Sequence, residues 1–331
     1  MGGGALLAPT IVDLPPGIEA VALPVPFPVD PVNCYLLVDD PVTLVDPGMV
    51  WGDTVARLAG LLGRAGLGRG DVAQVVVTHG HPDHFGAAGL VASRSGATVV
   101  CGRADEAKVR LRFEPELLVR MAEDLGAPAE LRSMLAPFID GVRAMVAPLP
   151  GGCLEVLDDG AALDAGGREW TVHVTPGHSA GHVSLWDGPG RTLLSGDHLL
   201  AAISPNPMLE PDATAADGRR SSLSEYLASL ARFAALDPAR VLPGHGPRFT
   251  GVPGLAAALA DHHQARAVTI LEEIRRLGVA SPYELARTLF PTAKGFELVL
   301  ALSEVVGHLD LLEGDGRLTR RPGPPQRYAA A

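Results

Sequence analysis

Between Thr78 and His84 the chain reads Thr-His-Gly-His-Pro-Asp-His, which gathers three imidazoles and one carboxylate into six residues. The apolar run Val75-Val76-Val77 precedes them. Imidazoles and carboxylates are ligands of divalent transition metals, and a buried strand ending in such a cluster delivers them rigidly to one spot. Three later segments, Pro176-Gly177-His178, Ser195-Gly196-Asp197-His198 and Pro243-Gly244-His245-Gly246, also follow apolar or β-prone runs, so each sets a ligand at a strand end. The candidate ligands are therefore His79, His81, Asp83, His84, His178, Asp197 and His245, too many for one tetrahedral ion and suited to two. Of the other histidines, His173 reads as a core residue inside the strand-like Trp170–Val174. His182 and His198 stand beside ligands, where they could orient them through hydrogen bonds. His262 and His263 fall on a helix that could run near the site, and His308 reads as structural.

The elements that position these residues can be read from apolar spacing. Ile18–Val25, Val32–Val38 and Val42–Val45 read as strands, and Asp46-Pro47-Gly48 as the turn that closes the third. Residues 52–65 carry apolar residues at helical spacing, Phe85–Ala92 reads as a helix after the histidine cluster, and Ala97–Cys101 as a strand. Residues 103–147 read as mostly helical, an insertion that could sit over the site as a lid or pocket wall. Within it Met134, Phe138 and Met145 are candidates for an apolar substrate pocket. Strands are expected near 153–157, 169–175, 182–187 and 191–195, a helix near 222–235 and a strand at Arg240–Leu242. This alternation is α/β, and by itself it permits more than one fold of that class.

From about residue 254 the pattern becomes helical. Leu255–Leu277 is long and periodic, Ser281-Pro282-Tyr283-Glu284 is a helix start with Ser as N-cap and Pro at the first helical position, and Phe296–Glu313 is a further helix. Gly314-Asp315-Gly316 then turns into a short hairpin. The expected division is a catalytic domain over 1–253 and a helical subdomain over 254–331.

Composition narrows the functional classes. The 331 residues are 47% hydrophobic, ample for one large core and an appendage, and carry a formal charge of −11. That balance disfavours a nonspecific nucleic-acid coat, which needs clustered cations. Cys34, Cys101 and Cys153 form no C-x-x-C pair and suggest neither a disulfide framework nor a thiolate zinc site. No basic leader with an apolar core opens the chain, and no stretch nears the ~20 apolar residues that span a bilayer. A cytoplasmic, non-membrane protein acting on a small molecule is the expectation, and a homodimer is compatible with it.

The H-x-H-x-D-H run with its spaced His, Asp and His resembles the metallo-β-lactamase superfamily and, within it, the glyoxalase II (hydroxyacylglutathione hydrolase)-like hydrolases, over about residues 17–250. The resemblance implies an αββα sandwich and a binuclear centre. His79, His81 and His178 would hold one ion; Asp83, His84 and His245 would hold the other; Asp197 would bridge them, and Asp46 would support a ligand from behind. Zinc is the default metal, with iron or manganese as alternatives. The helix–helix–hairpin tail resembles the winged-helix appendage of a branch of these hydrolases that includes endoribonuclease-like members. Acids and bases nearly balance in it, which favours a structural or dimerising role over nucleic-acid binding. The segment Gly246-Pro247-Arg248-Phe249 does not match the basic and Tyr residues with which glyoxalase II enzymes grip glutathione. The expected chemistry is hydrolysis by a metal-bridging hydroxide, with Asp83 and Asp197 central, first on an acyl thioester or a related ester or lactone. Endoribonuclease-like phosphodiester hydrolysis is second, and a mononuclear iron persulfide dioxygenase third.

Overall fold

The computed structural model describes residues 10–112, 115–212, 215, 218–321 and 323–331. In chain order the first half comprises β1 (Thr10–Ile11), β2 (Ile18–Leu23), β3 (Val32–Leu37), β4 (Thr43–Val45), α1 (Thr54–Arg64), β5 (Gln74–Val77), α2 (Pro82–Phe85), α3 (Ala88–Ser95), β6 (Thr98–Gly102), α4 (Glu106–Val109), α5 (Pro115–Asp124) and α6 (Ala129–Arg143). The second comprises β7 (Leu154–Leu157), β8 (Ala162–Ala165), β9 (Arg168–Val174), β10 (Val183–Asp187), β11 (Thr192–Gly196), α7 (Ser222–Leu236), β12 (Arg240–Pro243), β13 (Phe249–Thr250), α8 (Val252–Leu277), α9 (Pro282–Leu289), α10 (Phe296–Gly314), β14 (Leu318–Arg321) and β15 (Arg327–Ala330).

Two sheets face each other, one ordered β2-β3-β4-β5-β6-β7 and the other β1-β13-β12-β11-β10-β9-β8. The period-two alternation of a strand explains why their inner strands are apolar throughout. In β5, Val75 and Val77 point to a core shared with Leu58, Leu61 and Leu62 of α1 and with Ala88 and Ala92 of α3. Val76 points the other way, into the layer between the sheets with Tyr35, Trp170, Val172, Leu194 and Leu242. In the second sheet Leu193 and Val241 meet Leu223, Tyr226, Leu230 and Phe233 of α7 and Leu255 and Leu259 of α8. Helices thus cover both outer faces, and the αββα sandwich follows. Each fully buried Leu or Val contributes about 1.5–3 kcal/mol of transfer energy, so three contiguous cores supply the bulk of the driving force.

The stretch expected as one helix over Phe85–Ala92 is two. Gly86 packs with its Cα hydrogen against Met49 and the Pro82 carbonyl, where an added Cβ would lie within 2.8 and 2.6 Å, and the chain turns there before α3 begins. The insertion is helical as expected (α4–α6). Strands β1, β8 and β13 lie outside the expected set. The tail packs around a further core that also takes in Leu125 of the insertion: Ile270, Leu271 and Ile274 of α8, Leu285 of α9, Val305, Val306, Leu309 and Leu312 of α10, and Leu318 and Tyr328 of the hairpin β14–β15. The Ser281 N-cap forms in full, its hydroxyl accepting from Glu284 N while the Glu284 side chain accepts from Ser281 N.

Candidate metal centre

All the candidate ligands lie just past the carboxyl ends of strands. His79, His81, Asp83 and His84 follow β5, His178 follows β9, Asp197 follows β11 and His245 follows β12. Strands β4, β5 and β6 run parallel, as do β11 and β12, so their ends point the same way and the loops converge on one edge of the sandwich. Two cross-links between the sheets hold that edge, Val183 N donating to Thr78 O and Asn33 N to Gly244 O, and Gly244 N donates to Gly196 O between the adjacent ends of β12 and β11, each at 2.7 Å.

The side chains divide into two triads around a shared carboxylate. Donor atoms of His79, His81 and His178 lie within 4.8 Å of one another, as do those of Asp83, His84 and His245 and those of His79, His84 and Asp197. Asp197 Oδ2 is 3.5 Å from His178 Nε2, 3.5 Å from His84 Nε2 and 3.4 Å from His245 Nε2. The Nε2 atoms of His84 and His245 stand 3.2 Å apart, close to the ~3.3 Å that two imidazoles keep around a tetrahedral ion with ~2.0–2.1 Å bonds.

The outer nitrogens are held by hydrogen bonds that turn Nε2 inward. His84 Nδ1 pairs with Asp46 Oδ2 at 2.8 Å, and the Thr78 hydroxyl donates to the same oxygen and accepts from His79 Nδ1. His178 Nδ1 donates to the Asn206 carbonyl at 2.9 Å and His245 Nδ1 to that of Asp30 at 2.7 Å. Such outer partners fix the tautomer and aim the ring. Asp46 is itself held at φ 52, a left-handed conformation uncommon for a non-glycine residue. His79 Nε2, His178 Nε2 and Asp197 Oδ1 are then buried with no hydrogen-bond partner among the described residues. Buried polar atoms left open are costly, and His79, His178 and the Asp197 carboxylate all belong to the gathered donor groups. The donor set fits a pair of divalent cations.

Electrostatics agree. Burial would push His84 and His245 down, but the carboxylates of Asp197, Asp46 and Asp83 around His84, and of Asp197 and Asp83 around His245, raise them to about 10 and about 11. Burial would raise Asp83, yet His84 and His245 outweigh it and hold its carboxyl at about 2. The excess of negative charge that keeps these imidazoles protonated is what a cation would neutralise, releasing protons as it binds. Burial and its neighbour His178 depress His81 to about 3, leaving a neutral ring.

Neighbouring residues meet their expected roles unevenly. His182 Nε2 accepts from Asp197 N at 3.1 Å and its Nδ1 pairs with Thr175 Oγ1 at 2.7 Å, so it fixes the backbone of the shared carboxylate. His198 differs from expectation: neither of its nitrogens makes a hydrogen bond among the described residues, and its ring packs on Tyr226 and Phe233 at centroid distances of 4.8 and 5.3 Å. It serves the core beneath α7. His173 is buried edge-on against Phe233, as a core residue. Donor atoms of His262, His263 and Glu304 also gather, but Arg266 stands 3.5 Å from the Glu304 carboxylate. Both His263 nitrogens are taken, by Ser204 and His308, and His308 Nδ1 in turn donates to the Glu304 carbonyl. Of the candidate pocket residues, Met134 is 56% exposed, Phe138 stacks on Phe296 at 5.4 Å, and half-buried Met145 accepts from Val50 N through its carbonyl.

Three residues absent from the sequence reading organise the site from below. The fully buried carboxylate of Asp105 accepts from Gly80 N (2.7 Å), Ser179 Oγ (2.6 Å), Gly181 N (3.1 Å) and Lys108 Nζ (2.7 Å). It thereby clamps the loop of His79 and His81 to the loop of His178. Burial opposes its ionisation, but Lys108 and these donors hold the carboxyl far below the usual range. Lys108 also pairs with Glu210, which accepts from Ala180 N at 3.0 Å. The loops can meet because Gly181 lacks a Cβ; one would lie 2.2 Å from Asp105 N. The only local signal was the i, i+3 pair Asp105 and Lys108 just after a strand, a spacing common on solvent-exposed helices.

Comparison with known proteins places this architecture. A family model described as the metallo-beta-lactamase superfamily matches residues 27–245. The chain is 31% identical over 316 residues to a Bacillus subtilis protein named probable metallo-hydrolase YqjP, covering 91% of this chain and 94% of that protein. It superposes on the crystal structure of the metallo-beta-lactamase family protein TTHA1429 from Thermus thermophilus with a TM-score of 0.83 at 32% identity, over 96% of this chain and 100% of the other. A beta-lactamase domain protein from Burkholderia ambifaria gives a TM-score of 0.81 at 27% identity, over 97% and 93%. With its sandwich, its ligand order and these matches, the chain belongs to the metallo-beta-lactamase superfamily.

Proposed function

We propose that this protein is a binuclear metal-dependent hydrolase acting on an acyl thioester or a related ester or lactone. The observation that carries the reading is the pair of histidine-rich triads gathered around Asp197, whose Oδ2 lies 3.4–3.5 Å from three ligand nitrogens, with His79 Nε2 and His178 Nε2 buried and without hydrogen-bond partners among the described residues. Similarity along nearly its whole length to a protein described as a probable metallo-hydrolase supports hydrolysis. His79, His81 and His178 would hold one ion, Asp83, His84 and His245 the other, and Asp197 both. Two such ions supply Lewis acidity and bring the pKa of a bound water toward neutrality.

The chain's own residues bind and orient. Asp83, ionised at neutral pH, keeps an oxygen to align the attacking water. His182 and Asp46 hold Asp197 and His84 in place. Water adds to the acyl carbon, the carbon–sulfur bond breaks, and the thiolate leaves and takes up a proton, giving a carboxylic acid and a thiol. No serine or cysteine nucleophile is called for.

The surroundings support an acyl substrate over a polyanion. Lys108, close enough to depress His81, is already paired with Asp105 and Glu210. The segments that carry the outer hydrogen-bond partners of the ligands also expose Val29, Trp51 and Ile203. The test is thiol release from acyl thioesters of varied chain length and carrier, using metal-replete protein with Asp83→Ala as the blank. Release that vanishes in the variant is expected. No release above the blank, with two metals bound, would sink the thioester reading, and a steep inverse salt dependence of RNA binding and cleavage would replace it with a nuclease.

A further inference from the structure

Resting on the acyl-hydrolase reading, we infer that Phe27, Phe138 and Phe296 form an aromatic clamp beside the metal centre that selects substrates with a linear apolar acyl chain over short acyl groups. The three rings come from distant parts of the chain, the β2–β3 loop, α6 of the insertion and the first turn of α10. Phe138 and Phe296 stack at 5.4 Å, and Phe27 lies 5.9 Å from Phe296 and 6.4 Å from Phe138. None is fully buried, and Phe138 is 40% exposed, so the cluster is a surface feature and not a satellite core.

Its position follows from three tethers. Phe27 stands three residues before Asp30, whose carbonyl receives His245 Nδ1. Phe296 lies about one helical turn from Leu300, whose carbonyl accepts from Asn206 Nδ2, and the Asn206 carbonyl in turn receives His178 Nδ1. Phe138 precedes Met145 by two turns; Met145 O accepts from Val50 N, and in the same loop Gly48 N donates to His84 O. Phe27 and Phe296 are therefore each a few residues from a segment bonded to a ligand histidine, His245 and His178 respectively, and Phe138 joins them through its ring contacts.

The clamp also gives the tail a part in the site, since Phe296 belongs to α10. Each methylene packed on an aromatic face contributes a factor of about four in transition-state binding, so losing one ring that covers two or three methylenes costs about 15- to 60-fold.

The experiment measures kcat/KM for acetyl, hexanoyl, octanoyl and decanoyl thioesters with metal-replete wild type, Phe138→Ala and Phe296→Ala, each checked for its melting temperature. In parallel, calorimetric titrations compare decanoate with acetate on the same proteins. The expected result is a decanoyl-to-acetyl selectivity ratio that falls about 15- to 60-fold in both variants, with decanoate binding weakened alongside. A ratio unchanged in the variants, or a wild type indifferent to chain length, overturns the clamp while leaving the hydrolase reading standing. If no thioester or ester is cleaved, the hydrolase reading fails alone; the clamp then stands on decanoate binding that Phe138→Ala abolishes, and falls if decanoate binds no better than acetate.

Discussion

Replacing Asp105 by Ala tests whether the metal loops are positioned from beneath. The carboxylate accepts hydrogen bonds from Gly80 N, Ser179 Oγ, Gly181 N and Lys108 Nζ and is fully buried. Removing it leaves two backbone N–H groups and a hydroxyl without their acceptor, at about 1–3 kcal/mol for each group that water does not reach. It also leaves an ammonium shared only with Glu210. Breaking a buried ion pair from one side costs about 3–5 kcal/mol, and we take that range for the whole change, because Glu210 and relaxation recover part of it. The melting temperature should fall by about 4–7 °C. The loop of His79 and His81 and the loop of His178 then lose their common anchor, and affinity for the ion they would share should fall about 10- to 100-fold. Chelator competition with elemental analysis reads this directly, with stoichiometry moving from two ions toward one. Asp105→Asn keeps one acceptor oxygen and should fall between wild type and Ala. The ionised form of Asp105 is favoured in the fold, so its contribution is complete above the unfolded carboxyl pKa of about 3.9 and is lost as pH falls below it. The stability gap between wild type and Asp105→Asn should accordingly narrow below about pH 4. An Ala variant with unchanged melting temperature and unchanged chelator midpoint would refute the reasoning.

Asp197→Asn should reduce bound metal and lower hydrolytic turnover by more than about 100-fold, because among the described residues no other carboxylate faces His84, His178 and His245 together; elemental analysis and turnover on the same sample check it. Gly244→Ala would put a Cβ 2.1 Å from Asp197 Oδ1 and 2.8 Å from His84 Cε1. It should cost about 1–3 kcal/mol in a urea titration and depress metal content, and full loading would show that the ligands yield easily. Arg219, buried, donates to Asp310 at 2.5 Å and to Tyr328 Oη and Gln326 Oε1 at 3.1 Å each, tying the loop after Glu210 to the tail. Arg219→Ala should destabilise by about 3–5 kcal/mol, with limited proteolysis cutting within 254–331 before the sandwich; uniform cleavage would argue against it.

How far the site was legible depends on the range of the interactions involved. His79, His81, Asp83 and His84 are contiguous, and each later ligand sits beside Gly or Pro at the end of an apolar run, so strand ends and ligand order could be read directly. Strand β8, Ala-Leu-Asp-Ala, has little β propensity of its own and is a strand because β9 pairs with it. The break between α2 and α3 likewise follows from Gly86 meeting Met49 across the fold. His182 and His198 looked equivalent in sequence, each close to a ligand segment, yet the first hydrogen-bonds Asp197 N and the second faces α7. Strand direction and pairing decide which way a ring points, and neither is local.

The candidate ligand cluster, the double-faced apolar strands and the Ser281 helix start were therefore set by the sequence alone, because each rests on residue type and spacing within a few positions. The tertiary structure decided which imidazoles gather around the Asp197 carboxylate, that Asp105 clamps two loops whose candidate ligands are about a hundred residues apart, and that an aromatic ring from the tail reaches the insertion. Those relations depend on how parallel strands bring their carboxyl ends to one edge, and a contact between segments far apart in the chain leaves no periodic trace in either.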